Sequence, residues 1–304
     1  MLRAIAILLL VSTPARADRT YAEQLAKEAR AEADDGKFVA CGHAYLEVYS
    51  ADPNAADLDE SLYNAAVCFH DGKAIGAAMQ ALALLRKYAP NSKLMPRAIA
   101  RQGRMYWQIA SFEQAAASYE DYAKRYAGEK DALDALSDAI YLRAALGDDA
   151  RLIANVQFFI RAFGRKRAGD AARAHLTLLP AMERKGPDTA ITHLRDYLRQ
   201  FARADDDRAI QVHVRLGELL WQKACPIKTH DGLCVKAVRP GVARTCGPGS
   251  PTRFAVVARN AQLAQEATQA FAAAKALFER RQAREPVAVY HVGRARLGLA
   301  DAEL

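Results

Sequence analysis

At 304 residues the chain is long enough for one or two ordinary domains. Its hydrophobic fraction is 51%, much of it alanine, while aromatics are only 8%; with almost no β-type alternation before residue 232, this composition favours helices over sheet. The net charge of +8 suggests nucleic acid as a partner, but no basic run exceeds Arg165-Lys166-Arg167.

The first seventeen residues stand apart. Met1-Leu2-Arg3 supplies a positive charge, Ala4 to Val11 an unbroken apolar run, and Ala15-Arg16-Ala17 a small-x-small cleavage signal. This predicts a secretory leader over 1–17, cut before Asp18, with too short an apolar run to span a bilayer. Cleavage removes Arg3 and Arg16 and lowers the net charge by two. No cysteine sits at the cleavage site to take a lipid anchor. The expected location is therefore the periplasm or the exterior, without membrane insertion. Export disfavours nucleic acid and leaves anionic envelope material, or an acidic protein or peptide, as the partner class.

Helical patterns follow over Tyr21–Asp35 and Lys37–Ser50, with Gly36 between them as the expected helix stop. Asp52-Pro53-Asn54 punctuates the chain before Leu58–His70; Asp71-Gly72 turns it, and Lys73–Tyr88 runs to Ala89-Pro90-Asn91. The order is periodic. Cys41, Tyr45, Val48 and Pro53 recur 37 residues later as Ala78, Leu82, Leu85 and Pro90, and again as Ala115, Tyr119, Tyr122 and Ala127. A fixed period of this size is the mark of a solenoid.

In the third unit, A-R-Q-G-R-M-Y-W-Q-I-A-S-F-E-Q-A-A-A-S-Y, Gly103 and Tyr106 stand on a first helix and Ala115 and Tyr119 on a second. This pattern resembles the tetratricopeptide repeat family. Looser units keep Gly147, Leu152, Val156 and Phe159 within 133–166, Ala190, Leu194 and Tyr197 within 171–204, and Leu216 and Gly217 within 210–224. The resemblance implies an all-α, right-handed α-solenoid of helical hairpins over 18–224. Residues 225–253, rich in Gly and Pro and carrying three Cys, interrupt it. There Cys234–Arg239 and Val242–Cys246 flank Pro240-Gly241 as a small β-hairpin. Residues 254–304 complete the solenoid, with a helix over Val256–Arg284 that keeps Ala267, Phe271 and Ala274, and a last helix over Val287–Leu299.

Five cysteines in an exported chain predict disulfides and one spare thiol. Cys41 and Cys68 each lie about nine residues from the turn joining their helices, so an antiparallel pair sets them at equal height. A bridge there contributes about 3 kcal/mol; the alternative is two buried thiols. Cys234–Cys246 is the expected pair across the hairpin base. An alternative zinc set of Cys225, His230, Cys234 and Cys246 has the spacing C-x4-H-x3-C-x11-C, which lacks a close Cys pair.

No nucleophile elbow, zinc-protease helix, phosphate loop or C-x-x-C is present, so neither catalysis nor a cofactor is expected. Asp205-Asp206-Asp207 precedes a helix and suits its N-terminus. In the tetratricopeptide family, ligand-contacting side chains project from the first helix of each unit. Carried onto this register they are Tyr63 and His70, then Arg97, Arg104 and Trp107, Tyr141, His175 and Met182, and finally Glu218 and Trp221. The two tryptophans either meet a ligand or fill gaps between hairpins. The chain reads as a scaffold or adaptor holding a protein or peptide; the alternative is the helical scaffold of a cell-envelope or cell-wall-processing enzyme or assembly whose catalytic part lies elsewhere.

Overall fold

The computed structural model describes residues 19–32, 34–201, 203, 206–224, 261–281 and 286–303, and these form fourteen α-helices with no strand among them. The expected leader, the 225–253 insertion with its β-hairpin, and Cys225, His230, Cys234 and Cys246 lie outside the described residues. Two compact units divide the chain, Met1–Leu142 and Arg143–Leu304. The first holds α1 (Arg19–Glu32), α2 (Asp35–Ala51), α3 (Leu58–Asp71), α4 (Ile75–Tyr88), α5 (Met95–Gln108), α6 (Phe112–Arg125) and most of α7 (Ala132–Leu146). The second holds α8 (Asp149–Phe163), α9 (Ala168–Leu176), α10 (Leu179–Lys185), α11 (Pro187–Phe201), α12 (Asp206–Ala224), α13 (Ala261–Arg281) and α14 (Pro286–Glu303). Within each unit consecutive helices pack as hairpins, giving the all-α repeat architecture that the sequence predicts.

The periodic positions explain why the hairpins close. Cys41, Ala78 and Ala115 are buried, and so are Tyr45, Leu82 and Tyr119 one turn further on. The small residue lets a neighbouring helix approach, and the larger one four residues later fills the space beside it. The closest approaches seat an aromatic ring on a glycine. A Cβ built on Gly103 would lie 2.5 Å from the Tyr119 ring, and one on Gly42 would lie 2.6 Å from Phe69. Phe271 of α13 is held from two sides, with Gly217 of α12 and Gly298 of α14 both too near its ring to carry a side chain. Thus α12 and α13, although 36 residues separate them in sequence, close as one hairpin.

The turns repeat as faithfully as the helices. Lys73, Ala110 and Gly147, spaced 37 apart, all take positive φ (59°, 57° and 70°). Beside each, an amide donates back five residues to cap the preceding helix: Ala74 to Phe69 O (2.8 Å), Ser111 to Tyr106 O (2.8 Å) and Asp148 to Arg143 O (3.0 Å). The first hairpin departs from the expected register. Gly36 lies inside the first turn of α2, because the Asp34 carboxylate accepts from the amides of Gly36 and Lys37 and starts the helix before the glycine can stop one.

Side chains at equivalent positions of successive repeats bond to one another. Lys73 meets Asp35 at 2.6 Å and His70 meets Gln108 at 2.8 Å, both pairs 38 residues apart. In the second unit Arg184 pairs with Asp149 and Lys223 with Asp188, each 35 apart. A disulfide joins Cys41 of α2 to Cys68 of α3, with 5.8 Å between the Cα atoms, as equal helix height predicts. One expected first helix is broken: Pro180 in the first turn of α10 has no N–H to continue α9, so residues 168–185 form two short helices.

Two substitutions test these contacts with opposite signs. Ala110→Gly relieves a left-handed backbone and should stabilise the fold by about 1 kcal/mol. Gly217→Ala should cost about 2 kcal/mol despite its gain in helix propensity, since a ring clamped on both sides cannot move aside. Urea midpoints check both, and equal small effects would refute the clamp.

Candidate interaction face

The expected groove residues separate into two groups. In the first unit, α3 and α5 are joined through Arg101, a residue the sequence register did not single out. Its Nη1 donates to His70 Nδ1 at 2.7 Å and lies 3.7 Å from an Asp71 carboxylate oxygen, while its guanidinium stands 5.9 Å from the Tyr63 ring centroid. Because the guanidinium can only donate, His70 accepts at Nδ1 and carries its proton at Nε2, which donates to Gln108 Oε1 at 2.8 Å. Tyr63 and His70 are thus fixed beside α5. The only sequence signal for Arg101 is its place four residues after Arg97 and three before Arg104, on the same helical stripe.

Arg97 and Arg104 themselves are exposed and have no hydrogen-bond or ion-pair partner among the described residues. Trp107, 42% exposed, completes the stripe and stacks edge-on against Phe112, their ring centroids 5.6 Å apart. On α7 Tyr141 is 65% exposed, with Asp138 and Asp134 one and two turns before it. Partial desolvation, then the nearby Asp134 carboxylate, hold the Asp138 carboxyl above its usual range. The face offers unpaired guanidiniums and exposed aromatic rings, with acidic side chains at its α7 edge.

The second unit treats its expected residues differently. His175 belongs to the core, contrary to its expected place in the groove. It is only 8% exposed, and its ring stacks parallel to His193 at 4.2 Å, with Tyr197 and Phe201 also against it. The ring turns to α11, where His193, Tyr197 and Phe201 enclose it, and so away from the expected groove. His193 Nε2 donates to the His175 carbonyl at 3.1 Å, whereas His175 Nδ1 is buried without a partner. Met182 is half-buried in a shallow cleft with Thr189, Thr192, His193 and Asp196. Glu218 is engaged by Arg215 at 3.1 Å and by Arg294, and Trp221 is half-buried. Among the described residues no cluster of three or more His, Cys, Asp or Glu could hold a metal ion, and no helix is long and apolar enough to cross a membrane.

No family model matches the chain, and no curated protein matches it. Among solved structures it is similar to one described as "Assembly Chaperone of RpL4 (Acl4) (Residues 1-338)", at 12% identity and a TM-score of 0.33, over 93% of this chain and 98% of that one.

The histidine stack predicts acid sensitivity. Burial, and then the neighbouring His193, lower His175 from 6.5 to about 4, and burial lowers His193 as well. Below pH 6.5 the unfolded chain binds a proton that folded His175 refuses until about pH 4. Stability present above that window is lost across it, by about 3 kcal/mol at the acid end. Denaturant midpoints of the full chain should fall between pH 7 and 4.5, and His175→Phe, which keeps a ring in the stack, should flatten part of that slope. Identical slopes for the two proteins would exclude the stack as the cause.

Proposed function

We propose that this chain is a non-catalytic scaffold or adaptor that holds an acidic protein or peptide segment along the first-helix face of its first unit. The reading rests on one observation: Arg97 and Arg104 lie exposed and unneutralised two turns apart on α5, on the same stripe as Trp107. Arginine and tryptophan are the side chains that most often dominate binding energy, and a stacked helical array presents them with little ordering cost. Arg101, spent on His70 and Asp71, acts as a strut that keeps α3 and α5 in register beneath the contact surface. The leader-like segment 1–17 supports work outside the cytoplasm, with the mature chain starting at Asp18.

A photo-crosslinking amino acid at Tyr63 or Tyr141, compared with one at exposed Lys124 on α6, tests this reading in intact cells. The inner positions should capture a partner on chains that begin at Asp18 and lie outside the cytoplasm, and Lys124 should not. Arg104→Glu with Trp107→Ala should remove the capture while leaving helicity and melting nearly unchanged. Equal capture from both faces, or unfolding of the double variant, would overturn it.

A further inference from the structure

The second unit carries a small site that shares no residue with the arginine stripe of α5. A cleft of about 410 Å³ is lined by Met182 of α10 and by Asp188, Thr189, Thr192, His193 and Asp196 of α11. Most of its polar groups have no proton left to give. Thr192 Oγ donates to the Asp188 carbonyl one turn back, at 2.9 Å. His193 is only 8% exposed, and its Nε2 donates to the His175 carbonyl. A neutral imidazole that gives its proton at Nε2 is an acceptor at Nδ1. Burial keeps this ring neutral at pH 7, and the Asp196 carboxylate lies near enough to act on it. Nδ1 of His175 is sealed in the core, whereas Nδ1 of His193 is open to the cleft and has no partner among the described residues.

The carboxylates complete the pattern. Lys223 donates to Asp188 Oδ1 and Arg199 to Asp196 Oδ1, both in solvent-exposed pairs, so each carboxylate keeps Oδ2. Only the Thr189 hydroxyl retains a proton to donate. A cleft of lone pairs and negative charge beside a thioether calls for a ligand that donates and does not accept. A metal ion would find too few strong ligands: two turns separate Asp188 from Asp196, and no group of three such side chains among the described residues could hold one. A guanidinium binds best through parallel bonds to both oxygens of one carboxylate, and here one oxygen of each is taken. An ammonium, with three divergent donors and no acceptor, matches what remains.

We propose that this cleft binds a primary alkylammonium group, which donates to His193 Nδ1, Thr192 Oγ and Asp196 Oδ2 while its alkyl stem lies against Met182. The three acceptors stand at i, i+1 and i+4 of α11, so neighbouring turns of one helix present them together. His193 gives the site its direction. Its ring is clamped from behind by the stacked His175 and by the carbonyl it bonds, so the Nδ1 lone pair is fixed before a ligand arrives.

Nitrogen-15 spectra of the mature chain at pH 7, read at the His193 imidazole nitrogens, test the site with three probes: cadaverine, Nα-acetyl-lysine methylamide and Nα-acetyl-arginine methylamide. An amine should move Nδ1 toward the hydrogen-bonded range, leave Nε2 in place, and saturate with a Kd of about 0.1–1 mM. The arginine compound should bind more weakly than the better amine. Tighter binding of the acetylated lysine than of cadaverine assigns the ammonium to a protein side chain, and the reverse assigns it to a free diamine; both support the site. Asp196→Asn and Thr192→Val should each weaken binding about tenfold with the melting temperature unchanged, since both side chains lie at the surface of α11. No shift at His193 with either amine up to about 20 mM would overturn the proposal. So would equal or tighter binding of the arginine compound, or folded Asp196→Asn and Thr192→Val chains that bind as wild type.

Discussion

The seating of an aromatic ring on a glycine sets the spacing on which the rest of the structure depends. Tyr119 on Gly103 closes the hairpin of α5 and α6, and Phe271 on Gly217 closes that of α12 and α13. Phe69 on Gly42 sets the approach of α3 to α2, helices of successive hairpins, one residue from each cysteine of the disulfide. Once helices stand this close, only alanine and other small residues fit between them, which is why a chain poor in aromatics still builds a core within each unit. Some of its rings are spent at the points of closest approach, others such as Phe159 and Tyr197 fill the core, and a few such as Trp107 and Tyr141 are left on the surface.

Stacking then follows from repetition. Equivalent residues of successive repeats face each other, so bonds span 38 residues in the first unit and 35 in the second. Each such pair is exposed and individually worth little. Their combined effect is to fix the register of one hairpin against the next, and so to decide which side chains share the first-helix face. Arg101 shows how this works at the site: it gives up its own availability to hold His70 and Tyr63, and the arginines on either side of it stay free.

Much of the fold was legible in the sequence because spacing carries it. The 37-residue period marked the buried positions, and helix geometry paired Cys41 with Cys68 before any coordinates. Four features escaped for identifiable reasons. Gly36 looked like a helix stop, but the carboxylate two residues earlier caps the next helix first. Lys73 and Ala110 occupy left-handed turn positions that no glycine announces, because the amides capping the preceding helices enforce the conformation. His175 was assigned to the groove by counting, but its ring is drawn into the core by the aromatic side chains of α11, which a count along the first helices does not contain. The role of Arg101 was hidden because it depends on partners on α3, which a single helix pattern does not contain.

The disulfide has a consequence for how the array comes apart. It ties the second helix of the first hairpin to the first helix of the next, and not the two arms of one hairpin. A stack of repeats opens from its ends, one hairpin at a time, because each is held only by its neighbour. Here the terminal hairpin cannot leave alone. The covalent bond merges α1 to α4 into a single step, so the N-terminal end detaches as four helices or stays in place, and the surface beside α5 is protected from the fraying that would otherwise reach it first.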